Sequence, residues 1–244
     1  MKRLYDTLLK KYLNSDFDEM LLVSGPRQAG KTTVSKACGE DRSFTYLNWD
    51  NEDDKKLILQ GPKAIADVAN LHKLTEQKPI IAFDEIHKHS DWKNFLKGFY
   101  DTYQGKVRIV VTGSARLDVY KKGGDSLMGR YLHFRMHPLS VAECVRTTLA
   151  ETEISPPKKI TDKEFNALFE FGGYPKPFTK HDKQFSRQWQ RLRHQQLIHS
   201  FDDGSGSVKY AVCNTECNCS LDELHAHFYC NYCKIYRKNG FLFS

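Results

Sequence analysis

The sequence Gly25-Pro26-Arg27-Gln28-Ala29-Gly30-Lys31-Thr32-Thr33 decides the interpretation of this chain of 244 residues. It matches the pattern G-x-x-x-x-G-K-S/T, in which two glycines, a lysine and a hydroxyl residue keep a fixed spacing. The apolar run Met20–Ser24 before it predicts a buried strand, and residues 31–38 after it predict a helix. This order of strand, loop and helix is the context that a phosphate-binding loop requires.

Each part of this stretch suits the binding of phosphate groups. The backbone N–H groups of the loop and the positive end of the following helix attract phosphate oxygens. Lys31 is expected to reach the β- and γ-phosphates of a nucleotide, and Thr32 is expected to bind Mg²⁺. The predicted nucleotide-binding residues are Gly25, Pro26, Arg27, Gln28, Ala29, Gly30, Lys31, Thr32 and Thr33.

Acidic and hydroxyl residues follow two further apolar runs. Asp84 and Glu85 come directly after residues 80–83, and Ser114 closes the run that contains Thr112. Asp84 is predicted to help hold Mg²⁺, and Glu85 to orient and deprotonate an attacking water molecule. Ser114 is predicted to face the γ-phosphate, with an ordinary turn serine as the alternative.

Strands and helices alternate along the first 150 residues. Strands are predicted at 20–24, 44–47, 79–83, 107–111 and 131–135, and helices at 2–13, 31–38, 62–77, 92–103 and 141–148. This alternation predicts an α/β domain over 1–150 with a parallel sheet covered on both faces. Residues 151–160 are predicted to form a linker, 161–198 a small helical piece, and 199–244 a hairpin (197–201 with 208–212) and a tail rich in Cys and His.

The composition is that of a soluble globular protein, with 40% hydrophobic and 27% charged residues. No apolar run is long enough to span a membrane, and the first residues lack the apolar segment of a signal peptide. We therefore expect a cytoplasmic protein without a membrane partner. The net charge is +7, and residues 176–198 carry six Lys or Arg against one acid. Such a stretch is compatible with nucleic-acid contact, but it is more typical of a solvated helix.

Several motifs together resemble a family of prokaryotic AAA+-like ATPases, from about residue 3 to about residue 198. They are GPRQAGKTT, FDEIHK, TGSAR, MGRY, PLS followed by Glu143, GGYP and QWQRLR. The resemblance implies a P-loop NTPase fold, with ATP and Mg²⁺ as ligands and ATP hydrolysis as the activity. Arg116 and Arg130 are candidates for an arginine that acts on a neighbouring copy. Arg130 is preferred, because the Gly-Arg element of the family is similar to Gly129-Arg130.

The last part of the chain resembles something else. Residues 197–233 are similar to a fragment of a ferric-uptake-regulator-type repressor. That resemblance implies that Cys230 and Cys233 are half of a structural zinc site and that His225 and His227 belong to a metal-sensing site. Structural zinc takes four ligands, and no cysteine follows Cys233, so reduced thiols without metal are the alternative.

The sequence thus leaves three functions open. The first is Mg²⁺-dependent ATP hydrolysis through Lys31, Thr32, Asp84 and Glu85, with Arg130 as a further catalytic residue. The second is nucleotide binding without turnover, by a truncated chimera of two families. The third is a fragment of a metal-dependent transcriptional regulator. A homo-oligomer and an unidentified protein partner are compatible with each of them.

Overall fold

The computed structural model describes residues 1–39, 42–73, 75–114, 127–149 and 158–202, with side chains through Gln196. Its strands are β1 (Met20–Ser24), β2 (Phe44–Asn48), β3 (Ile80–Asp84), β4 (Arg108–Gly113) and β5 (Tyr131–Arg135). Its helices are α1 (Leu4–Leu13), α2 (Lys31–Ala37), α3 (Glu52–Leu59), α4 (Pro62–Val68), α5 (Trp92–Tyr103), α6 (Val141–Val145), α7 (Asp162–Phe171), α8 (Pro175–Lys180) and α9 (Lys183–Asp202). A short 3₁₀ helix, Ile86–Lys88, follows β3.

The described strands form one parallel sheet in the order β2-β3-β4-β1-β5. The inner strands β1, β3 and β4 are buried along their whole length, so they appear in the sequence as continuous apolar runs. Because every strand runs in the same direction, the carboxyl ends lie at one edge of the sheet. There Asp84 stands in register with Asn48 on one side and Thr112 on the other. The predicted α/β class and parallel sheet are confirmed.

Helices cover both faces of the sheet, because alternate residues of a buried strand point to opposite sides. On one side Phe83 of β3 packs edge-on against Phe99 of α5, in a cluster that also contains Leu96. On the other side Val110 of β4 belongs to a second cluster, together with Leu9 of α1. The two clusters fix the sheet beneath the loops that follow its carboxyl edge.

Some helices differ from the sequence prediction. The helix predicted at 62–77 ends at Val68, because the chain turns at Asn70, whose φ is +54°. The helix predicted at 141–148 ends at Val145. The sequence patterns do not predict α3, which is capped by the Asn51 side chain as it accepts hydrogen bonds from the N–H groups of Asp53 and Asp54.

The strand predicted at 197–201 is wrong, because these residues belong to α9. No glycine or proline interrupts the sequence between Lys183 and Asp202, and the next glycine is Gly204. Helix growth is cooperative, so a β-prone run at the end of an established helix is carried into it. The first strand of the predicted hairpin is therefore absent from the structure. The second predicted strand, 208–212, lies outside the described residues.

The chain divides into two compact units, Met1–Arg193 and His194–Ser244. The first unit contains the sheet together with α7, α8 and the part of α9 that ends at Arg193. Most of the linker predicted at 151–160 lies outside the described residues, which resume at residue 158. The predicted domain boundaries stay predictions.

Candidate functional site

The predicted phosphate loop connects the end of β1 to the start of α2, and the backbone determines its path. Gly25 lies against the chain that leaves β5, where the Met136 N–H donates to the Ser24 carbonyl at 2.7 Å. A Cβ atom added at Gly25 would stand 2.2 Å from the Met136 carbonyl oxygen. Gly30 precedes α2 with a φ of +102°, which favours glycine. Both glycines of the motif are therefore required by the shape of the loop.

Lys31 is the first residue of α2, and its side chain folds back over the loop. Its Nζ donates to the carbonyls of Gly25 at 3.1 Å and Pro26 at 2.9 Å. Burial lowers the pKa of Lys31, the charges of Glu85 and Asp84 oppose that effect, and those of Arg193 and Arg27 add to it. Burial is thus the main cause that disfavours the charged form of Lys31, and an anion in the loop would favour that form.

The Asp84 side chain accepts three hydrogen bonds at the carboxyl edge of the sheet. Its Oδ2 accepts from Thr32 Oγ1 at 2.7 Å and from Tyr46 Oη at 2.6 Å, and its Oδ1 accepts from Thr112 Oγ1. Burial and the hydrogen bond to Asp84 raise the pKa of Tyr46. These contacts connect the start of α2 to the ends of β2, β3 and β4.

The Asp84–Thr32 pair has the chemistry that Mg²⁺ requires. Mg²⁺ prefers hard oxygen ligands, and next to a nucleotide it takes only one or two of them from the protein and the others from phosphates and water. A carboxylate and a hydroxyl 2.7 Å apart, beside a phosphate loop, fit that requirement. The described residues contain no group of three or more His, Cys, Asp or Glu side chains that could hold a metal ion.

Glu85 follows β3 in a strained backbone conformation, with a φ of +56°. Its N–H donates to the Thr112 carbonyl at 2.9 Å, so the backbone is tied to β4. Its carboxylate lies 3.6 Å from the Nζ of Lys88 and 3.7 Å from the Nε2 of His87. Asn70 and His181 have a positive φ as well, so this conformation does not by itself mark a site, and the role of Glu85 stays a prediction.

The remaining predicted residues have different surroundings. Arg27, Gln28 and Thr33 line the same open groove as Lys31. Ala29 is buried, and its carbonyl accepts from the Arg3 guanidinium at 2.7 Å. Ser114 does not line the groove, and its Oγ lies 3.1 Å from His87 Nε2.

Arg130 lies at the opposite edge of the sheet from the phosphate loop. Its carbonyl accepts from the N–H of Met20, the first residue of β1, whereas the loop follows the last residue of β1. Its guanidinium pairs with Asp101 at 2.7 Å. The structure does not bring Arg130 to the site of its own chain, and its action on a neighbouring copy stays a prediction. Arg116 lies outside the described residues.

Arg193 lies near enough to the site for its charge to act on Lys31, although the sequence analysis did not single it out. It lies on α9 one turn after Trp189, whose Nε1 donates to Gln28 of the loop at 2.7 Å. Tyr174 contacts both residues, with its ring 4.8 Å from that of Trp189 and 5.6 Å from the Arg193 guanidinium carbon. The Nε of Arg193 is buried without a hydrogen-bond partner. The positive charge of this guanidinium contributes to lowering the pKa of Lys31. Arg193 follows Trp189 by four residues, and on a predicted helix this spacing places the two side chains on the same face. That spacing was the sequence signal that could have identified Arg193.

A buried ion pair holds the loop from the side of the N-terminus. Arg3 and Glu143 meet at 2.6 Å, and both side chains are about 5% exposed. The same guanidinium donates to the carbonyls of Ala29 and His137. The motif residue Glu143 thus fixes Arg3, and Arg3 fixes the phosphate loop.

The groove itself is large enough for more than phosphate. It has a volume of about 1810 Å³ and extends from Lys31 and Asp84 to Lys2 on one side and to Pro175 and Thr179 of α8 on the other. A nucleoside attached to phosphates in the loop therefore has space beside α1 and α8. All of these residues lie in the first unit of the chain.

The predicted zinc ligands cannot be placed in this geometry. Cys230, Cys233, His225 and His227 lie outside the described residues. Among the described helices, none is long and apolar enough to cross a membrane.

Comparison with known proteins identifies the family. A family model described as an AAA domain matches residues 17–145. An uncharacterized protein of Methanocaldococcus jannaschii is 30% identical over 156 residues, which are 59% of this chain and 32% of that protein. An uncharacterized protein of Mycobacterium tuberculosis is 24% identical over 170 residues, 70% of this chain and 33% of that protein. The chain spans about a third of the length of these relatives.

Solved structures give weaker similarities. The Walker-type ATPase of Pyrococcus abyssi has a TM-score of 0.47 and 15% identity, covering 81% of this chain and 73% of that one. The ORC1 protein of Aeropyrum pernix in complex with DNA has a TM-score of 0.42 and 14% identity, covering 57% of this chain and 46% of that one. The family model ends at residue 145 and gives no support to the resemblance of residues 197–233 to a repressor, which stays a prediction. Because the AAA model accounts for more than half of the residues, the chain belongs to the AAA domain family.

Proposed function

We propose that this chain binds ATP with Mg²⁺ and hydrolyses it, through Lys31, Thr32, Asp84 and Glu85. The observation that carries the proposal is the 2.7 Å hydrogen bond from Thr32 to Asp84. It joins the start of α2 to the end of β3, so the two motifs that the sequence separates by about fifty residues form one site.

The binding of phosphate follows from charge and from backbone geometry. In phosphate loops of this pattern, the backbone N–H groups and the amino end of the following helix attract phosphate oxygens. Lys31 lies over the loop, and the charges of Arg27 and Arg193 act on it. A triphosphate would give Lys31 a better acceptor than the carbonyls of Gly25 and Pro26, which it contacts now. The groove beside α1 and α8 would take the nucleoside.

The residues that would hold Mg²⁺ are Thr32 and Asp84. Mg²⁺ held there would supply neutralisation of the negative charge on the phosphates. Tyr46 and Thr112 fix the Asp84 carboxylate, which limits its freedom to turn away from Thr32.

Glu85 is the proposed general base. Its side chain is 20% exposed, so water can reach it, and its charge acts on Lys31 of the loop. A carboxylate in this place can orient a water molecule against the terminal phosphate and accept its proton. Positioning and charge stabilisation account for most of the catalysis in phosphoryl transfer.

Nucleotide binding without turnover is the second candidate, and one observation favours it. The Glu85 carboxylate lies within 3.7 Å of both the Lys88 Nζ and the His87 Nε2. These two groups are therefore available to bind it in place of water. If these contacts persist with nucleotide bound, water activation is lost and the chain acts as a switch. The predictions of a cytoplasmic location, an oligomer, a protein partner and nucleic-acid contact stay predictions.

The experiment compares ATP binding and phosphate release for the wild type, Lys31→Ala and Glu85→Gln, each with Mg²⁺. We expect Lys31→Ala to lose binding and turnover, because it removes the cation that meets the phosphates. Glu85→Gln should keep binding and lose turnover by at least about 100-fold, the size of a general-base contribution. Lys93→Ala is the control, because Lys93 lies in the first turn of α5 and does not line the groove.

Each outcome of this experiment distinguishes between the candidate functions. Turnover in Glu85→Gln at the wild-type rate would contradict the role of Glu85. Nucleotide binding by the wild type with no phosphate release would establish the second candidate. No binding by the folded wild type would contradict both.

A further inference from the structure

Tyr46 is the residue of β2 whose side chain reaches the Asp84 carboxylate. It pairs in register with Ala82, and Ala82 and Asp84 are two residues apart on β3, so these side chains share one face of the sheet. The Tyr46 Oη donates to Asp84 Oδ2 at 2.6 Å, the same oxygen that accepts from Thr32 Oγ1 at 2.7 Å. Two donors from different elements therefore occupy one carboxylate oxygen.

The ring of Tyr46 is held where this hydroxyl can act. It packs against the buried cluster that contains Val34 and Ala82. The Nζ of Lys36, from α2, lies 4.3 Å from the centroid of the ring. Because both contacts restrain the ring, the position of the hydroxyl does not depend on its hydrogen bond with Asp84 alone.

The two oxygens of the Asp84 carboxylate have different surroundings. Oδ1 accepts from Thr112 Oγ1, and Thr112 is 1% exposed. Oδ2 accepts from Thr32 and Tyr46, which both line the open groove. A carboxylate has about four lone-pair positions, two on each oxygen. Both positions of Oδ2 are occupied and Oδ1 faces a buried residue, so the position that Thr32 now takes is the one that opens toward the groove.

We propose that Tyr46 favours Mg²⁺ over Ca²⁺ by keeping the Asp84 carboxylate turned so that one oxygen, and not both, faces the groove. Ca²⁺ takes about six to eight oxygen ligands and accepts both oxygens of a carboxylate, whereas Mg²⁺ takes few protein ligands and keeps several waters. To present both oxygens, Asp84 would have to lose its hydrogen bonds with Tyr46 and Thr112. Tyr46 is thus a positioning residue that acts through Asp84. The inference rests on the proposed function, because it assigns Asp84 to the metal.

The test measures how much Mg²⁺ or Ca²⁺ is needed for nucleotide binding. A fluorescent, non-hydrolysable analogue of ATP is kept at constant concentration, each ion is titrated separately, and the ratio of the half-saturating Ca²⁺ to Mg²⁺ concentrations is compared between variants. The nucleotide contributes its own ion preference equally in every variant, so a change in this ratio comes from the protein. Tyr46→Phe keeps the ring and removes only the hydroxyl. We expect it to lower the ratio about 3- to 10-fold, the size of one hydrogen bond.

Two further variants separate the hydroxyl from the fold. Tyr5→Phe removes a tyrosine hydroxyl that donates to the Arg135 carbonyl, and neither of these residues lines the groove, so the ratio should stay unchanged. Thr112→Val releases Oδ1 instead of Oδ2 and should lower the ratio in the same direction as Tyr46→Phe. Thermal unfolding without nucleotide shows whether each variant is folded, and Thr112→Val decides the matter if Tyr46→Phe is not.

The outcomes separate this inference from the proposed function. An unchanged ratio in folded Tyr46→Phe, with binding that still needs a divalent ion, would overturn this inference and leave the proposed function standing. Binding that is equal with and without either ion would remove Thr32 and Asp84 as a metal site, and this inference with it. No binding of the analogue by the folded wild type would overturn the proposed function and this inference together.

Discussion

Arg193 is a single residue that lies far from the phosphate loop in the sequence and whose charge acts on Lys31 of that loop. Its Nε is buried without a partner, and a buried donor without a partner is costly. Trp189 and Tyr174 hold its helix against the phosphate loop, and its charge adds to that of Lys31. A phosphate group bound in the loop would supply the missing acceptor.

We therefore expect Arg193→Ala to weaken ATP binding about 10- to 100-fold, the range of a hydrogen bond to a charged group. Equilibrium titration of the folded variants with a fluorescent ATP analogue measures the effect. Arg191→Ala, an exposed arginine on the same helix, is the matched control and should bind like the wild type. Equal affinities of Arg193→Ala and Arg191→Ala would contradict a phosphate contact.

The residues of the site differ in how far sequence could predict them. Lys31 and Thr32 are predictable, because phosphate binding requires them at fixed spacing within one loop. Asp84 and Glu85 are predictable as well, because two carboxylates at the end of an apolar strand need a function or a partner. Arg193 and Tyr46 come from separate elements, and only the packing of those elements shows that they face the same place.

At the scale of elements, α1 and α6 hold the phosphate loop through one ion pair. Arg3 precedes α1, Glu143 lies in α6, and the guanidinium reaches the Ala29 carbonyl. Breaking a buried pair by removing one partner leaves the other charge buried and alone. The pair thus makes the stability of the loop depend on two residues that are 140 positions apart in the sequence.

The stability of this clamp can be measured by urea unfolding. Arg3→Met and Glu143→Leu are each expected to cost about 3–5 kcal/mol, whereas the double variant should cost less than the sum of the two. Lys56→Met removes an exposed pair with Asp53 and should change the free energy of unfolding by about 0.5 kcal/mol or less. Additive losses in the double variant would show that the two side chains act separately.

The predictability of elements follows how they are stabilised. Buried strands such as β1 are visible as apolar runs, and their bounds agree closely with the sequence prediction. Helix α3 has a largely polar sequence and begins with a cap at Asn51, so no apolar period marks it. The β-prone residues 197–201 are helical, because the long helix before them outweighs local preference.

At the scale of the whole molecule, the parallel sheet brings the ends of β1, β3 and β4 to one edge. The site therefore depends on the folded sheet as a whole, and nucleotide that binds the folded chain stabilises all of it. A ligand at 100 times its dissociation constant adds about 2.7 kcal/mol. For a chain of this size, that corresponds to a rise in melting temperature of about 5–10 °C.

We expect this rise when ATP and Mg²⁺ are added to Glu85→Gln, in which the ATP stays intact during the measurement. Chelation of Mg²⁺ should reduce the shift, because Thr32 and Asp84 then lose their link to the phosphates. The combination Lys31→Ala with Glu85→Gln is the control and should show little shift. The same shift with and without Mg²⁺ would argue against a metal site at Thr32 and Asp84.

The close approach of Gly25 to the Met136 carbonyl affects how this sequence can change over generations. Backbone atoms close the space, so any side chain at position 25 would disturb the exit from β5 whether or not nucleotide is ever bound. Selection for a folded chain alone would retain Gly25. Folding makes no such demand for Lys31, whose burial opposes its charge. A descendant that abandoned ATP would lose Lys31 and Glu85 early and Gly25 late, so the lysine and the glutamate, rather than the glycine, are the marks of a site still in use.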